Sequence, residues 1–238
     1  MLLYYIRHAN PIYDPDSITP EGELQAAALA KRLAVYGVDR IFSSSSNRAV
    51  MTAAPTATLL GKDITKLDFC TESRAWATYA KEDVDGTKHF AFQNTRLLTA
   101  FADPAVYALG EAWYTHPAFA KDGFAEGVQS LHRDTDAFLR TLGYDHDREN
   151  RRYRVVTPNS ERVALFAHQG FGMAFLSSLL DIPYPVFASH FDLRTTGLTV
   201  IDFKEYDGFA IPKLLTLSND AHLYSEGLST QYNGDKIF

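Results

Sequence analysis

The sequence of 238 residues contains a single cysteine, Cys70. With one cysteine the chain cannot form an internal disulfide or a cysteine-rich metal site. Such a composition is typical of proteins in a reducing compartment, and we expect a cytoplasmic protein.

An excess of positive charge is also missing, since the formal net charge is −6 at pH 7. A global positive field attracts phosphate polymers and anionic lipid surfaces, so its absence argues against binding to nucleic acid or to a membrane surface. The acidic balance does not exclude a small anionic ligand, because a local group of arginine and histidine side chains can dominate one pocket.

Long hydrophobic runs are absent as well. The apolar stretch at the start of the chain is interrupted at Arg7, which makes it too short for a signal peptide or a membrane span. The hydrophobic fraction of 46% is nevertheless enough for a large core. The length suits one α/β domain with an insertion, and we predict a single domain over residues 1–238, as a monomer or a homodimer.

Two buried strands are the clearest elements in the sequence. Residues 2–8 and 162–168 are both short apolar runs, which is typical of strands buried on both faces. The first run ends in Arg7 and His8, and the second ends in His168. In open α/β sheets ligands bind at the carboxyl ends of the strands. An Arg-His pair also occurs at solvated strand ends, so this pair alone does not assign a function.

The remaining elements follow from apolar periodicity and from residues that start or stop helices. Thr19 can cap a helix that starts at Pro20 and ends before Gly37. The other predicted elements are strands at 39–44 and 64–70, a helix at 48–60 that Pro55 bends or breaks, a helix at 123–142, a turn at 169–172 before a helix at 173–180, a short helix or loop around 189–190, and a hairpin of strands 198–203 and 211–217.

Residues 73–123 interrupt the alternation of strands and helices. This segment is rich in aromatic residues, which is not typical of a linker. We expect a mainly helical insertion that covers one face of the sheet, either as a lid over the strand ends or as a packing subdomain. Residues 144–158 are charged, and we expect a solvated loop with a short edge strand at 153–156. The predicted fold is a three-layer α/β/α arrangement with a central, mostly parallel sheet and a largely helical insertion after the third strand.

Parallel strands would bring their terminal side chains to one edge of the sheet. His8 and His168 would then lie at the same edge, and Arg48 near a helix start would lie close to them. Backbone N–H groups and the helix dipole favour an anion there, and Arg7 with Arg48 could clamp a phosphoryl group through forked hydrogen bonds. The sequence therefore indicates a phosphate pocket whose positive charge comes from side chains, with no metal and no cofactor.

Four motifs resemble those of the histidine phosphatase superfamily, also called the phosphoglycerate-mutase-like family. They are Arg7-His8-Ala9, Thr19-Pro20-Glu21-Gly22, Ser46-Asn47-Arg48-Ala49 with Thr52-Ala53, and Phe166-Ala167-His168-Gln169-Gly170. Each motif alone is weak, but the set in this order is specific, and it covers both ends of the chain without the insertion. The resemblance implies a metal-independent phosphomonoester hydrolase that acts on a small phosphorylated substrate through a phosphohistidine intermediate.

The resemblance also implies a role for each motif residue. His8 would be the nucleophile, and Arg7, Arg48 and His168 would bind the phosphoryl oxygens. The chemistry requires a neutral His8 and favours a charged His168, so the pKa values of the two rings should differ. The family places the acid just after the third strand, where Glu72 stands, and its pKa should be raised.

Further residues are candidates for the same pocket. Asn10 and Gln169 are candidate substrate-binding residues. The alternative acids are Glu82 and Asp83, and the candidates for a second tier of pocket residues are Ser189, His190 and His222.

The sequence also departs from the family pattern. Ala9 stands where glycine is usual, and Ser45-Ser46 replaces a Ser-Pro-Leu turn. The residues that follow Glu72 differ from the acidic motif of the cofactor-dependent mutases. These departures favour a phosphatase over a phosphoglycerate-type phosphomutase, and a catalytically inactive phosphate- or nucleotide-binding protein stays open as an alternative.

Two further classes fit less well. Gly170 and Gly172 follow a buried strand as in a dinucleotide-binding turn, but Phe175 occupies the third glycine position. Eight histidines suggest a metal hydrolase, but no pair has the His-x-x-x-His spacing of metal ligands.

Overall fold

The computed structural model describes residues 1–232 and 235–236, with side chains described as far as Thr230. The strands are β1 (Leu2–Arg7), β2 (Pro11–Ile12), β3 (Ser17–Ile18), β4 (Arg40–Ser44), β5 (Ile64–Leu67), β6 (Ala80–Glu82), β7 (Lys88–Phe90), β8 (Tyr144–Asp147), β9 (Arg152–Val155), β10 (Arg162–Ala167), β11 (Leu198–Asp202), β12 (Glu205–Tyr206), β13 (Phe209–Ala210), β14 (Lys213–Asn219), β15 (Gln231–Tyr232) and β16 (Asp235–Lys236). The prediction of one domain over 1–238 extends to residues outside this description.

The helices alternate with these strands in both halves of the chain. The α-helices are α1 (Pro20–Tyr36), α2 (Asn47–Leu60), α3 (Glu72–Tyr79), α4 (Thr95–Phe101), α5 (Pro104–Ala108), α6 (Phe124–Thr141), α7 (Gln169–Leu179), α8 (Tyr184–His190) and α9 (Ala221–Ser225), and the 3-10 helices are η1 (Gly110–Thr115) and η2 (Pro117–Phe119). Within the described part of the chain, no helix combines the length and the apolar character that a membrane span needs.

The central sheet brings distant parts of the chain side by side, in the strand order β14-β11-β1-β10-β4-β5. β1, β10, β4 and β5 run parallel, and Arg7 at the end of β1 lies opposite Ala167 at the end of β10. β11 runs antiparallel to β1, and β14 runs antiparallel to β11. His8 and His168 follow the last residues of two adjacent parallel strands, so both leave the sheet at its carboxyl edge.

Side chains of β1 alternate between two faces of the sheet, and helices cover both faces. Tyr5 belongs to a hydrophobic cluster with Phe138 of α6 and Phe171 of α7. Ile6 points to the other face and belongs to a second cluster with Leu29 of α1. The predicted three-layer arrangement around a mostly parallel sheet is therefore confirmed.

The insertion packs on the helical layer that contains α7 and α8. At its centre Trp113 is 1% exposed, and its ring centroid lies 5.6 Å from that of Phe101, 5.3 Å from Phe119 and 5.8 Å from Tyr184. The segment is largely helical, as predicted, but it also contains the hairpin β6–β7, which ends at Phe90. Most of the aromatic content therefore fills a core, and the end of the hairpin reaches the sheet edge.

Several predicted boundaries are wrong. The short strand predicted at 153–156 is present as β9, but it pairs on both sides in a second sheet of order β12-β13-β9-β8. It is therefore not an edge strand, and residues 144–147 form the strand β8 instead of a solvated loop. Helix α7 begins at Gln169, so residues 169–172 form its first turn. Helix α2 continues through Pro55 without a break. The strand predicted at 64–70 ends at Leu67 as β5, and Glu72 opens α3.

A cluster of charged side chains joins α6, the hairpin β8–β9 and the end of α7. The His146 side chain is fully buried and contacts Asp136 through Nδ1 at 2.8 Å and Asp181 through Nε2 at 3.0 Å. Arg148 donates to Asp136 at 2.7 Å and lies 3.7 Å from Asp181. Burial alone would lower the pKa of His146, but the two hydrogen bonds to carboxylates outweigh it and raise this pKa.

This cluster makes stability depend on pH. Because the folded-state pKa of His146 is raised, its stabilising contribution is complete below the unfolded-state pKa and is lost as pH rises through the folded-state pKa. We expect the thermal unfolding midpoint to fall as pH increases above neutrality, and His146→Gln to reduce both the midpoint at pH 6 and its pH dependence. His190→Gln, at an exposed position, is the control. An unchanged pH dependence in His146→Gln would contradict the assignment.

Candidate active site

The carboxyl edge of the sheet opens into a cavity of about 640 Å³. It is lined by Arg7, His8, Asn10, Pro11, Tyr13, Arg48, Glu72, Ser73, Trp76, Phe90, Gln93, Gln169 and Thr195. His168 lies directly beside His8, with ring centroids 5.2 Å apart. The structure therefore brings together the two imidazoles, the two guanidiniums and the carboxyl group that the sequence singles out.

His8 follows β1 and is 3% exposed. Its Nδ1 lies 2.7 Å from the backbone oxygen of Ala9, and because a carbonyl oxygen only accepts, Nδ1 carries the proton. Burial and the positive charges of Arg7 and Arg48 lower the pKa of His8 well below its usual value. The ring is therefore neutral, and its Nε2 keeps a lone pair for attack.

Ala9 fits where the family usually has glycine. It is fully buried in a small cluster with Ile18 and Ala26, and its N–H donates to Oγ1 of Thr52 at 2.9 Å. Ala9 is not among the residues with a positive φ, so its conformation does not require glycine. The site tolerates this departure without backbone strain.

His168 follows β10 and is fully buried. The hydroxyl of Tyr5 donates to its backbone oxygen at 2.5 Å, and its Nε2 lies 2.8 Å from Oγ of Ser44. Its Nδ1 is buried and has no hydrogen-bond partner within the described residues. A phosphoryl oxygen is a suitable partner for this nitrogen once the ring is protonated.

The expected positive charge on His168 is not favoured in the protein alone. Burial, the neighbouring His8 and the positive charges of Arg48 and Arg7 lower the pKa of His168 well below its usual value, so both rings are neutral. A phosphoryl dianion between the arginines would raise the pKa of His168, because an opposite charge favours the imidazolium form.

The two arginines are fixed by groups outside the cavity. Nη1 of Arg7 donates to the backbone oxygen of Leu193, and Nη1 of Arg48 donates to Oδ1 of Asp16, both at 2.7 Å. Asp16 also accepts the N–H of Asn47, the first residue of α2, at 2.7 Å. The Nε atoms of both arginines are buried without a partner in the described structure, and an anion is the group that satisfies such donors.

Glu72 opens α3, and its carboxylate reaches the first turn of α7. Oε1 accepts the N–H of Gly170 at 2.8 Å, and Oε2 accepts the N–H of Phe171 at 2.9 Å. Burial raises the pKa of Glu72, and the two hydrogen bonds together with Arg7 and Arg48 offset this only in part. A raised pKa favours the acid form that a proton donor in this cavity needs.

Phe90 from the hairpin β6–β7 covers the peptide that holds this carboxyl group. Its ring atoms lie 2.4 Å from the position that a Cβ on Gly170 would occupy. The ring centroid is 4.9 Å from Trp76, edge to face, and 5.2 Å from Phe92, stacked. Glycine at 170 is therefore required by the close approach of an aromatic ring.

This contact predicts a specific coupling in stability. We expect Gly170→Ala to lower the free energy of unfolding by about 1–3 kcal/mol, because the new methyl group overlaps the ring of Phe90. In a Phe90→Ala background the same change should cost much less, since alanine is also the better helix former. Denaturant unfolding of the four proteins in this cycle measures the coupling, and additive costs would contradict the proposed contact.

The other predicted pocket residues divide into two groups. Asn10 and Gln169 line the cavity. Ser189 and His190 lie at the exposed end of α8, so their placement in the pocket is wrong. His222 is buried behind the site, where its Nε2 lies 3.1 Å from Oγ1 of Thr196.

Neither alternative acid lines the cavity. Glu82 is exposed at the end of β6. Asp83 accepts the N–H groups of Thr95 and Arg96 at the start of α4. Its desolvation raises the pKa, but its hydrogen bonds together outweigh this and lower the pKa to about 2. A carboxylate that is ionised at all working pH values is a poor proton donor, which leaves Glu72 as the candidate.

The sequence interpretation missed the side of the cavity away from the imidazoles. The missed lining residues are Pro11, Tyr13, Ser73, Trp76, Phe90, Gln93 and Thr195. One signal could have found Trp76: it follows Glu72 by four positions, which places the two side chains on one face of a helix. Within the described part of the chain, no group of three or more His, Cys, Asp or Glu side chains could hold a metal ion.

The fold and the site define an α/β protein with an anion pocket of histidine and arginine at its sheet edge. Solved structures similar to the chain share this fold. One is a variant of phosphoserine phosphatase from Entamoeba histolytica in complex with phosphoserine, with 18% identity, a TM-score of 0.59, and coverage of 93% of this chain and 98% of that chain.

Two further similar structures are a mycobacterial glucosyl-3-phosphoglycerate phosphatase and the alpha-ribazole phosphatase from Shigella flexneri. The first has 16% identity, a TM-score of 0.57, and coverage of 92% of this chain and 98% of that chain. The second has 18% identity, a TM-score of 0.58, and coverage of 92% of this chain and 97% of that chain. A comparison with curated protein sequences finds no match.

Residues 4–95 match the model of the histidine phosphatase superfamily (branch 1). The matched segment contains Arg7, His8, Arg48 and Glu72. The solved structures named above share the fold with this chain over most of its length.

Proposed function

We propose that the protein is a metal-independent phosphomonoester hydrolase that works through a phosphohistidine intermediate. The observation that carries this proposal is the state of His8, which is neutral, has its Nδ1 proton engaged, and presents Nε2 in a cavity with two arginines. A nitrogen nucleophile beside positive charge is suited to attack on a phosphoryl group.

The first step transfers the phosphoryl group to the protein. Nε2 of His8 forms a bond to phosphorus, the bond to the leaving oxygen breaks, and the proton of Glu72 passes to that oxygen. Arg7 and Arg48 bind the phosphoryl oxygens throughout. The charge that develops on these oxygens meets donors that are already in place, so little reorganisation is needed.

The second step releases phosphate. Glu72, now ionised, takes a proton from a water molecule, whose oxygen bonds to phosphorus while the bond to His8 breaks. Inorganic phosphate leaves, His8 regains its lone pair, and Glu72 regains its proton. His168 becomes protonated when the phosphoryl dianion is bound and donates to one of its oxygens.

A panel of phosphate esters tests the proposal. We expect release of inorganic phosphate from several small esters, a rate that EDTA leaves unchanged, and an acid-labile phosphoenzyme in rapid-quench experiments. Product analysis with phosphoglycerate distinguishes the alternative activity, since a phosphomutase would isomerise it without net release of phosphate. The absence of phosphate release from every ester would contradict the proposal and favour an inactive binding protein.

A further inference from the structure

The cavity is much larger than a phosphoryl group needs. Its volume of about 640 Å³ lies in the range of roughly 300–1,000 Å³ that is typical of pockets for whole small molecules. The part beyond Arg7, His8 and Arg48 therefore holds the rest of the substrate, which becomes the leaving group.

Glu72 locates this leaving group, because its proton must reach the leaving oxygen. Trp76 lies one helical turn further along α3 and lines the same cavity. Its side chain remains 43% exposed, although burying an indole stabilises a protein strongly. Phe90 contacts it edge to face and fixes its orientation. A leaving group protonated by Glu72 therefore meets the exposed surface of Trp76.

The charges of the lining exclude an anionic leaving group. The cationic residues of the lining are Arg7 and Arg48, which face the phosphoryl position, and Arg48 is also paired with Asp16. The lining also contains the carboxyl group of Glu72, which the proposed reaction requires in its neutral acid form when the substrate binds. A carboxylate or second phosphate on the leaving group would lie beside Glu72 with no cation to pair with, and such desolvation is costly.

Two polar lining residues near the phosphoryl position donate hydrogen bonds to carboxylates outside the cavity. Nε2 of Gln169 donates to Asp192 at 2.5 Å, and Nδ2 of Asn10 donates to Glu21 at 3.5 Å. The positive side chains of the lining thus lie at the phosphoryl position, and the lining residues around it are neutral or bonded to carboxylates. This arrangement favours a substrate whose only negative charge is its phosphoryl group.

We propose that the substrate is a phosphomonoester whose leaving group is uncharged and carries an aromatic ring that packs against Trp76. The assignment rests on the proposed function, since the leaving group is defined by the phosphoryl transfer. Trp76 is then a specificity-determining residue, and Gln93 offers the leaving group one neutral polar contact at the rim. An aromatic pair of this kind changes binding by up to about tenfold beyond simple burial.

Three esters of primary alcohols test the preference in turnover: benzyl phosphate, 4-carboxybenzyl phosphate and ethyl phosphate. We expect kcat/KM for benzyl phosphate to exceed that for each of the others by at least about tenfold. In Trp76→Ala the ratio of benzyl to ethyl phosphate should fall about tenfold. Tyr107→Ala, at an exposed aromatic of the same insertion outside the cavity, should leave this ratio within about twofold.

Binding of phosphonates separates this inference from the proposed function. In phenylethylphosphonate, its 4-carboxy derivative and propylphosphonate a methylene replaces the ester oxygen, so no hydrolysis occurs. Calorimetry with the intact protein should give phenylethylphosphonate a Kd at least about tenfold lower than the other two, and Trp76→Ala should remove the preference. Equal or tighter binding of the carboxylated compound, or a preference that survives Trp76→Ala, would overturn the inference. The expected binding order without hydrolysis of any ester would support the inference and contradict the proposed function.

Discussion

Replacing His8 by alanine is expected to lower kcat for p-nitrophenyl phosphate by at least about 1000-fold. The substitution removes Nε2, the nitrogen that the hydrogen bond from Nδ1 to Ala9 leaves free for attack. p-Nitrophenolate is a good leaving group that needs little protonation, so loss of its turnover reports on the nucleophile. Release of nitrophenol under saturating substrate measures the effect.

Binding should survive this substitution, because Arg7 and Arg48 keep their partners Leu193 and Asp16. Inorganic phosphate should therefore still inhibit residual turnover or bind in calorimetry, and no phosphoenzyme should be trapped. His190→Ala, at an exposed histidine outside the cavity, should retain full activity. Full activity in His8→Ala, or a phosphoenzyme trapped in that variant, would contradict the assignment of the nucleophile.

The pH dependence of this reaction follows from the same site. The ring of His8 must be neutral to attack, and burial with its positive neighbours Arg7 and Arg48 lowers its pKa well below the usual value. Protonation therefore removes the nucleophile only at a pH far below that of an exposed histidine. We expect kcat/KM for p-nitrophenyl phosphate to stay level from neutral pH down through the usual histidine range, and a decline near pH 6.5 would contradict the neutral site.

The part of the fold that carries the site was predictable because local rules and tertiary structure agree there. Thr19 caps α1 by accepting the N–H of Gly22 at 3.0 Å, and Gly37 ends the helix, as their residue types indicate. The strands that end in His8 and His168 could be recognised because both are buried on two faces and appear as continuous apolar runs. Their parallel pairing then follows from the alternation of strands and helices.

The errors occur where tertiary contacts override the local signal. Residues 144–158 look solvated because of their charges, but Tyr153 is fully buried and stacks on His146, whose charge is balanced by two aspartates. Gly170 looks like a turn residue, but it lies inside α7. Glycine is required there because the ring of Phe90 occupies the space of a side chain. Asp181 is distant in sequence from His146, and Phe90 is distant from Gly170, so no local pattern could reveal these contacts.

Contacts between residues that are distant in sequence also limit how much of the site can be predicted. The role of His8 depends on its own strand and on the next residue, and it could be inferred from a short motif. The neutrality of His168 depends on burial and on Arg7 and Arg48 from other elements, which no motif records. The wall formed by Trp76 and Phe90 arises from a helix and a hairpin of the insertion, for which composition alone gave no position.

Glu72→Gln should produce the second large effect, and part of it is structural. The two carboxylate oxygens accept the N–H groups of Gly170 and Phe171, whereas glutamine offers one accepting oxygen. One buried N–H at the start of α7 then loses its partner, at a cost of about 1–3 kcal/mol. We expect a thermal unfolding midpoint lower by roughly 2–4 °C for each kcal/mol lost, with the protein still folded at the assay temperature.

Esters with different leaving groups distinguish the catalytic effect of Glu72→Gln from its structural effect. Loss of an acid should slow esters of alkyl alcohols by about 100-fold or more, since their oxygen must be protonated as it leaves. Formation of the phosphoenzyme from p-nitrophenyl phosphate should be much less affected, while its hydrolysis slows because Glu72 no longer activates water. The variant should therefore show a burst of nitrophenol equal to the amount of protein and an accumulated phosphoenzyme.

In the unmodified protein kcat/KM for alkyl esters should fall as pH rises through the raised pKa of Glu72, because the acid form is lost, and this decline should be absent in Glu72→Gln. Equal losses for all esters, with no burst, would assign the proton transfer to a different residue and leave Glu72 as a cap of α7.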